Sequence, residues 1–446
     1  MVDTDFVLIV GELVVDYTLA QPGAPCKLRL GGVGHAARGL WAADLPYSVA
    51  AFCPEYLVGE ATSYLAELGC KEFIWLGDVV GAPSVILISD VREVAHQGYE
   101  DLMRDTKVAK VRVPLPSLDA YEKIVVFPGK FNIGELASAF SKSARFSFDI
   151  AYDLDDLSSL KTFRGRVDAI IISTSSSLFT RLGKDNIDGL LDDDTMKTLA
   201  PDVFLLKENR GGSRLFDMRN GDIEEIPATL GGTVNSVGVG DVYSSVMASL
   251  SSHKSWVEAA WRGSQVASIY SQSTFPDDIK RDVKRGLRLS LEVLQELGGT
   301  VLPWHDRQSY SIYLAGPDFS YVEKQELDRA VDSFTYHNFR VRRPILESGE
   351  LKRPASEFDL RRTYHLDRQL LKECDAVFAI PLDRDPGTLV EIGMAIELGK
   401  PVITYDPRAE NENTMVVTGS SLYSSDIDVC LNGAFRIISE LRADLQ

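Results

Sequence analysis

Residues 376–405 constrain the fold more than any other stretch. Ala376–Pro381 (AVFAIP) is a short apolar run of the kind that forms a buried strand. A loop follows, then an apolar-periodic run (Leu389, Val390, Ile392, Met394, Ala395, Leu398) closed by Gly399 and Pro401, which predicts a helix with a clear stop. Val402–Tyr405 predicts another strand. Strand, loop, helix and strand in this spacing form a parallel crossover, so this part of the chain must be α/β. Asp385 and Glu391 sit six residues apart at the loop–helix junction, with Pro386, Gly387 and Thr388 between them. In open α/β sheets, ligands bind at this carboxyl edge. Free N–H groups and the helix dipole are expected to keep Glu391 ionised, and an ionised, positioned carboxylate can attack a sugar anomeric carbon.

The run Asp385-Pro-Gly-Thr-x-x-Glu391-Ile-Gly-Met-Ala resembles the signature of the nucleoside 2-deoxyribosyltransferase family. Three further pieces resemble it in order. Tyr313-Leu-Ala-Gly316-Pro-Asp318-Phe319 is similar to the opening strand and substrate-lining turn, and Leu366-Asp367 to the Asp-bearing helix. Asn413-Thr-Met415 is similar to an element that reaches a neighbouring subunit's site. The resemblance spans about 310–441. It implies that Glu391 is the nucleophile of a glycosyl-enzyme intermediate, and that Asp385 and Asp367 handle base protonation and substrate positioning. Tyr313, Gly316, Asp318, Phe319, Gly387, Asn413 and Met415 would line the substrate, with Tyr313 and Phe319 stacking on a base. No cofactor is implied. A second base as acceptor makes a transferase; water makes a hydrolase. Homo-oligomers, dimers or higher, are expected because such sites are completed by a neighbour.

With 446 residues, 45% hydrophobic and 25% charged, two globular domains are expected. Net charge −18 speaks against a nucleic-acid polymer as partner. Five scattered cysteines, odd in number and without C-x-x-C spacing, argue against a zinc site or a disulfide framework and for a reducing compartment. The six histidines show no metal spacing. The opening MVDTDFVLIVGEL lacks a basic segment, and its apolar run is too short to be a signal or a membrane span. It reads as a first strand of a cytoplasmic protein.

From the start, apolar runs at 6–15, 47–52, 72–76, 84–89, 124–127, 169–173, 203–206 and 213–216 predict strands. Helices are expected at 35–43, 59–68, 242–250, 256–270 and 281–297. Such alternation predicts a doubly wound, mostly parallel sheet. The junction lies near 300–309, giving domains 1–300 and 309–446, both α/β and doubly wound.

Asn235-Ser-Val-Gly238-Val239-Gly240-Asp241 leads into a helix, and a glycine turn there presents N–H groups to an anion. An Asp at that turn can take a proton from an attacking hydroxyl. This resembles the G-A-G-D motif of ribokinase-like (PfkB-type) kinases. Asp16, after Gly11-Glu12-Leu13, resembles their sugar-hydroxyl-binding Asp, and Gly31-Gly32 their diglycine. The resemblance implies anion binding at Gly238, Val239 and Gly240, a catalytic base at Asp241, and ATP with Mg²⁺ if phosphoryl transfer is retained. The departures are specific. Asn235 stands where Asp is usual, and His35 lies nearest the expected sugar-binding Asn. Ser173-Thr-Ser-Ser176 replaces a carboxylate-bearing element, and Lys207-Glu-Asn209 replaces a nucleotide-supporting turn. An active kinase, a binding module that lost phosphoryl transfer, and a scaffold all remain open.

Two further features stand out. His365 lies beside Asp367, and Arg340, Arg342, Arg343, Arg361 and Arg362 form a basic cluster suited to a 5′-phosphate. The expected ligands are small: a nucleoside, nucleotide or sugar. The rival readings are an ATP-dependent sugar or nucleoside kinase and a nucleotide-sensing regulator.

Overall fold

The computed structural model describes residues 6–20, 25–151, 154–351 and 354–445. Met1–Asp5 of the opening stretch therefore lie outside the described residues, as does Gln446. The chain divides into two compact units. One holds Met1–Arg92 and Gly98–Gly299, the other Glu93–Gln97 and Thr300–Gln446. Both are α/β with mostly parallel sheets.

In the N-terminal unit the strand Val7–Thr18 is central. It pairs in parallel with Tyr47–Phe52 on one side and Lys123–Val126 on the other. Val7, Leu8, Ile9 and Val10 are all buried, because helices cover both faces and both side-chain phases must be apolar. The sheet continues in parallel through Arg145–Asp149, Val167–Ser173 and Val203–Lys207, then turns antiparallel at Ser213–Asp217. The first strand runs past the expected end at residue 15 and pairs antiparallel with Lys27–Gly32. This second strand escapes the sequence reading because its outer face is exposed and its pattern is weak. Gly31 and Gly32 thus end a strand, and the helix behind them starts at Val33.

The single helix expected over 281–297 is two, Pro276–Gly286 and Leu291–Leu297. The apolar period continues across the break. Ser290, however, caps the second helix by accepting from the Val293 N–H, and this cap is what resets the chain.

In the C-terminal unit five parallel strands lie in the order Arg340–Arg342, Ser311–Ala315, Ala376–Ala379, Val402–Tyr405, Leu422–Ser424. By chain position this is two-one-three-four-five, so the winding reverses between the first and third strands. A crevice at their carboxyl ends follows from that reversal. No helix among the described residues is long and apolar enough to cross a membrane.

Candidate active site

Three elements converge at that crevice. Tyr313 lies on the first strand, fully buried among Leu370, Leu371, Val377, Ile392 and Ala395. Asp367 comes from the helix Glu357–Glu373, and Glu391 from the helix Pro386–Glu397. The Tyr313 hydroxyl donates to Glu391 Oε1 at 2.5 Å. Tyr313 therefore cannot stack on a base, as its aromatic character suggested; its ring is core and its hydroxyl positions the carboxylate.

The expectation that helix N–H groups keep Glu391 ionised is corrected. Asp385 is the N-cap: its Oδ2 accepts from the Thr388 N–H at 2.8 Å and from the Thr388 hydroxyl at 2.8 Å. Glu391 lies a turn further along, where the backbone N–H groups are already paired within the helix. Burial raises its pKa to about 8; the Tyr313 hydrogen bond opposes this, while Asp367 and Asp385 add to it. Asp367 is half-buried and its pKa is raised, chiefly by burial. Its Oδ1 is buried and has no hydrogen-bond partner among the described residues. An orphaned carboxyl oxygen costs stability; at a crevice it is open to a hydrogen bond from or to a ligand.

The loop before Asp385 was not singled out by its sequence. Asp383 and Arg384 both hold left-handed backbone, φ 52° and 53°. Two consecutive non-glycine residues there cost roughly 1–2 kcal/mol each. Ties hold them: Arg408 donates to Asp383 at 3.1 Å, and Arg384 Nε to the Glu410 carbonyl at 2.8 Å. The signal was absent because neither residue is the Gly or Asn that normally marks such backbone.

Other expected residues take varied places. Asp318 is buried with both oxygens engaged: Arg343 grips it bidentately at 2.7 Å, and Lys324 lies at 2.6 Å. It thus anchors the loop after the first strand. Gly316 lets that loop pass, since a Cβ there would come within 2.8 Å of Leu327. Phe319 stacks on exposed Tyr321, centroids 5.3 Å apart. Gly387 is exposed beside Asp385. Asn413 caps a short helix by accepting from the Met415 N–H at 2.9 Å, leaving Met415 exposed. His365 is exposed, edge-on to Tyr364. In the basic cluster Arg342 pairs with Glu347, Arg343 with Asp318, and Arg361 with Glu357 at 2.7 Å. Those three guanidiniums are neutralised by neighbours, which weakens the 5′-phosphate reading.

In the N-terminal unit Asp241 stands in the first turn of Val239–Leu250, behind Gly238 at φ 78°. Only glycine fits position 238: a Cβ would come within 2.0 Å of the His35 ring. The Val239 N–H turns back to the Ser236 carbonyl at 3.2 Å, so it is not free for an anion. The Gly240 and Asp241 N–H groups have no partner among the described residues. Burial raises the Asp241 pKa to about 8; Asp149 and Asp16 add to this, Lys207 and Arg38 oppose it. Lys207 Nζ donates to Asp149 at 2.6 Å and to the Gly240 carbonyl at 3.2 Å.

Asp16 is buried. His35 Nε2 lies 2.8 Å and Arg29 Nε 3.3 Å from its Oδ2. Burial alone would raise its pKa, but His35, Arg29 and Arg38 hold it below the usual range. Burial drives His35 down to about 4, against the pull of Asp16. Gly31 and Gly32 have packing reasons: a Cβ would come within 2.0 Å of Asp16 Oδ1 or 2.1 Å of the Glu12 carbonyl. Among the described residues no three His, Cys, Asp or Glu side chains converge to hold an ion. At 173–176 the Ser176 hydroxyl caps the next helix, the Ser173 and Ser175 hydroxyls lie 2.9 Å apart, and the buried Thr174 hydroxyl has no partner among the described residues.

No curated protein matches the chain. Three solved structures are similar at low identity. Ribokinase from Giardia lamblia is 17% identical, covering 63% of this chain and 98% of its own, with TM-score 0.48. The nucleoside kinase of Methanocaldococcus jannaschii is 16% identical, covering 64% and 98%, with TM-score 0.46. Ribokinase from Cryptococcus neoformans, in complex with ADP, is 16% identical, covering 64% and 99%, with TM-score 0.47. Residues 312–424, which carry Tyr313, Asp367, Asp385 and Glu391, match the family model of nucleoside 2-deoxyribosyltransferase.

Proposed function

We propose that the C-terminal unit breaks the N-glycosidic bond of a nucleoside or nucleotide and passes the sugar to an acceptor. The observation that carries this is the carboxylate pair at the crevice: Glu391 fixed by the Tyr313 hydroxyl, and Asp367 with an unpartnered oxygen. Ionised Glu391 attacks C1′, forming a glycosyl ester as the C1′–N bond breaks. The base leaves with its electron pair and takes a proton. Asp367 is the better donor of that proton, because burial keeps it protonated to higher pH and Asp385 is committed to its cap. A second base, or water, then attacks C1′, gives its proton to the Asp367 carboxylate and frees the Glu391 carboxylate. No Lys or Arg is among the groups shifting Glu391. That surrounding favours the positive charge of an oxocarbenium-like transition state.

The test mixes the full chain with a 2′-deoxynucleoside and a different free base and follows nucleosides by chromatography. A new nucleoside supports transfer, and free deoxyribose supports hydrolysis. A Glu391→Ala chain that retained full activity would falsify the nucleophile role.

The N-terminal unit serves in this reading as a binding module for a sugar, nucleoside or nucleotide, its Mg²⁺-organising carboxylate replaced by serines. Phosphorylation of a sugar or nucleoside on addition of ATP-Mg²⁺ would restore the kinase reading. The protein works as a homo-oligomer in a reducing cytoplasm. Phe358, Leu360, Tyr364 and Leu366 stand exposed on one helix, with Val390 and Met415 also exposed in this unit. So much apolar surface calls for a partner, and sedimentation velocity reads the assembly directly.

A further inference from the structure

Asp16 and Arg29 are direct cross-strand neighbours in the antiparallel pair of Val7–Thr18 and Lys27–Gly32. The guanidinium does more than pair with the carboxylate. Its Nη2 reaches on to Asn235 Oδ1 at 3.2 Å and to the Val237 carbonyl at 3.4 Å. Arg29 thus ties the second strand to the turn that leads into Asp241. From the other side His35 holds the same Asp16 oxygen at 2.8 Å, with its Nδ1 2.9 Å from the Tyr270 hydroxyl. The remaining oxygen of Asp16 is backed against Gly31. The Asp16 and His35 side chains are each 3% exposed and that of Arg29 is 23%. The guanidinium is therefore the outer layer over the carboxylate.

We propose that Arg29 is a latch that supplies Asp16 with an internal partner and so decides whether this pocket accepts a polyol. A carboxylate binds a sugar or nucleoside diol by accepting from its hydroxyls. With one oxygen shared between a guanidinium and an imidazole and the other packed on backbone, Asp16 has nothing to offer until Arg29 moves. When Arg29 moves, the Asn235 contact breaks with it, so opening the pocket also loosens the second strand from the turn before Asp241, while its backbone pairing with the first strand remains. The ligand class is a cis-diol sugar or its nucleoside. The inference rests on the reading of this unit as a sugar- or nucleoside-binding module, and the test separates the two.

The experiment compares the full chain with Arg29→Ala in two measurements. Titration calorimetry with D-ribose and with adenosine reads the pocket; amide hydrogen exchange over residues 27–32 reads the latch. The expected result is at least tenfold faster exchange in the variant, together with at least tenfold tighter binding of one of the two probes. Faster exchange with neither probe bound supports the latch and overturns the sugar-pocket reading. Unchanged exchange in a variant with parental circular dichroism overturns the latch. Parental protein that binds ribose as tightly as the variant also overturns it. Arg29→Met, which keeps the side-chain stem and removes the guanidinium, is the second variant should Arg29→Ala fail to fold; the same outcomes apply.

Discussion

Glu391 and Asp241 reach the same pKa, about 8, in opposite company. Each is half-buried near the start of a helix that packs on a mostly parallel sheet. Around Glu391 the other contributors are a phenol and two carboxylates, Asp367 and Asp385. Around Asp241 two carboxylates are opposed by Lys207 and Arg38. The difference teaches that a raised carboxyl alone does not name a chemistry. An anionic surrounding suits a reaction that develops positive charge on a sugar ring; a mixed surrounding with cations suits an anionic ligand.

The harshest way to break this contrast is to remove Glu391. Glu391→Ala should lower glycosyl transfer by about 10⁴-fold or more, as loss of a nucleophile does, read by chromatographic rates. Next is pH. If Glu391 must be ionised and Asp367 protonated, kcat/KM for transfer should pass through a maximum with pH, with the limb set by Glu391 lying near 8. A profile flat from pH 5 to 9 would count against Glu391. Tyr313→Phe removes the bond that opposes the upward shift, so the Glu391 limb should move alkaline by about one unit, with about tenfold less activity at neutral pH.

A stability measurement sharpens the comparison further. Both carboxyls have folded pKa values above their unfolded ones. The folded chain therefore holds protons that the unfolded chain releases, and stability falls as pH rises from about 4 through 8. Glu391→Gln and Asp241→Asn should each melt about a few degrees higher than the parent at pH 9, with the gain shrinking toward pH 5. The smallest effect expected is that of Asp385→Ala, which removes a cap worth about 1 kcal/mol, read by denaturant unfolding.

Much of this site is legible as a string. Strand 376–379, the helix behind Pro386 and the carboxylates at 385 and 391 follow from short-range rules: apolar period, proline at a first turn, glycine at a stop. Tyr313 was visible too, but not its partner, because strand and helix are 78 residues apart and meet only in three dimensions. Asp383 and Arg384 gave no sign of their left-handed backbone, since long-range ties hold it. Strand 27–32 was missed for the same kind of reason. Its identity comes from pairing with 13–18, not from its own residues.

By itself the sequence determined two α/β units and the residues able to carry charge, because burial pattern and turn chemistry are local properties. The tertiary structure alone decided which charges stand together. It gave Asp385 to a helix cap and Asp318 to two cations, closed Asp16 behind Arg29, and left Asp367 with an oxygen unpaired. Electrostatic interaction depends on distance and burial, and neither is written in the order of the residues.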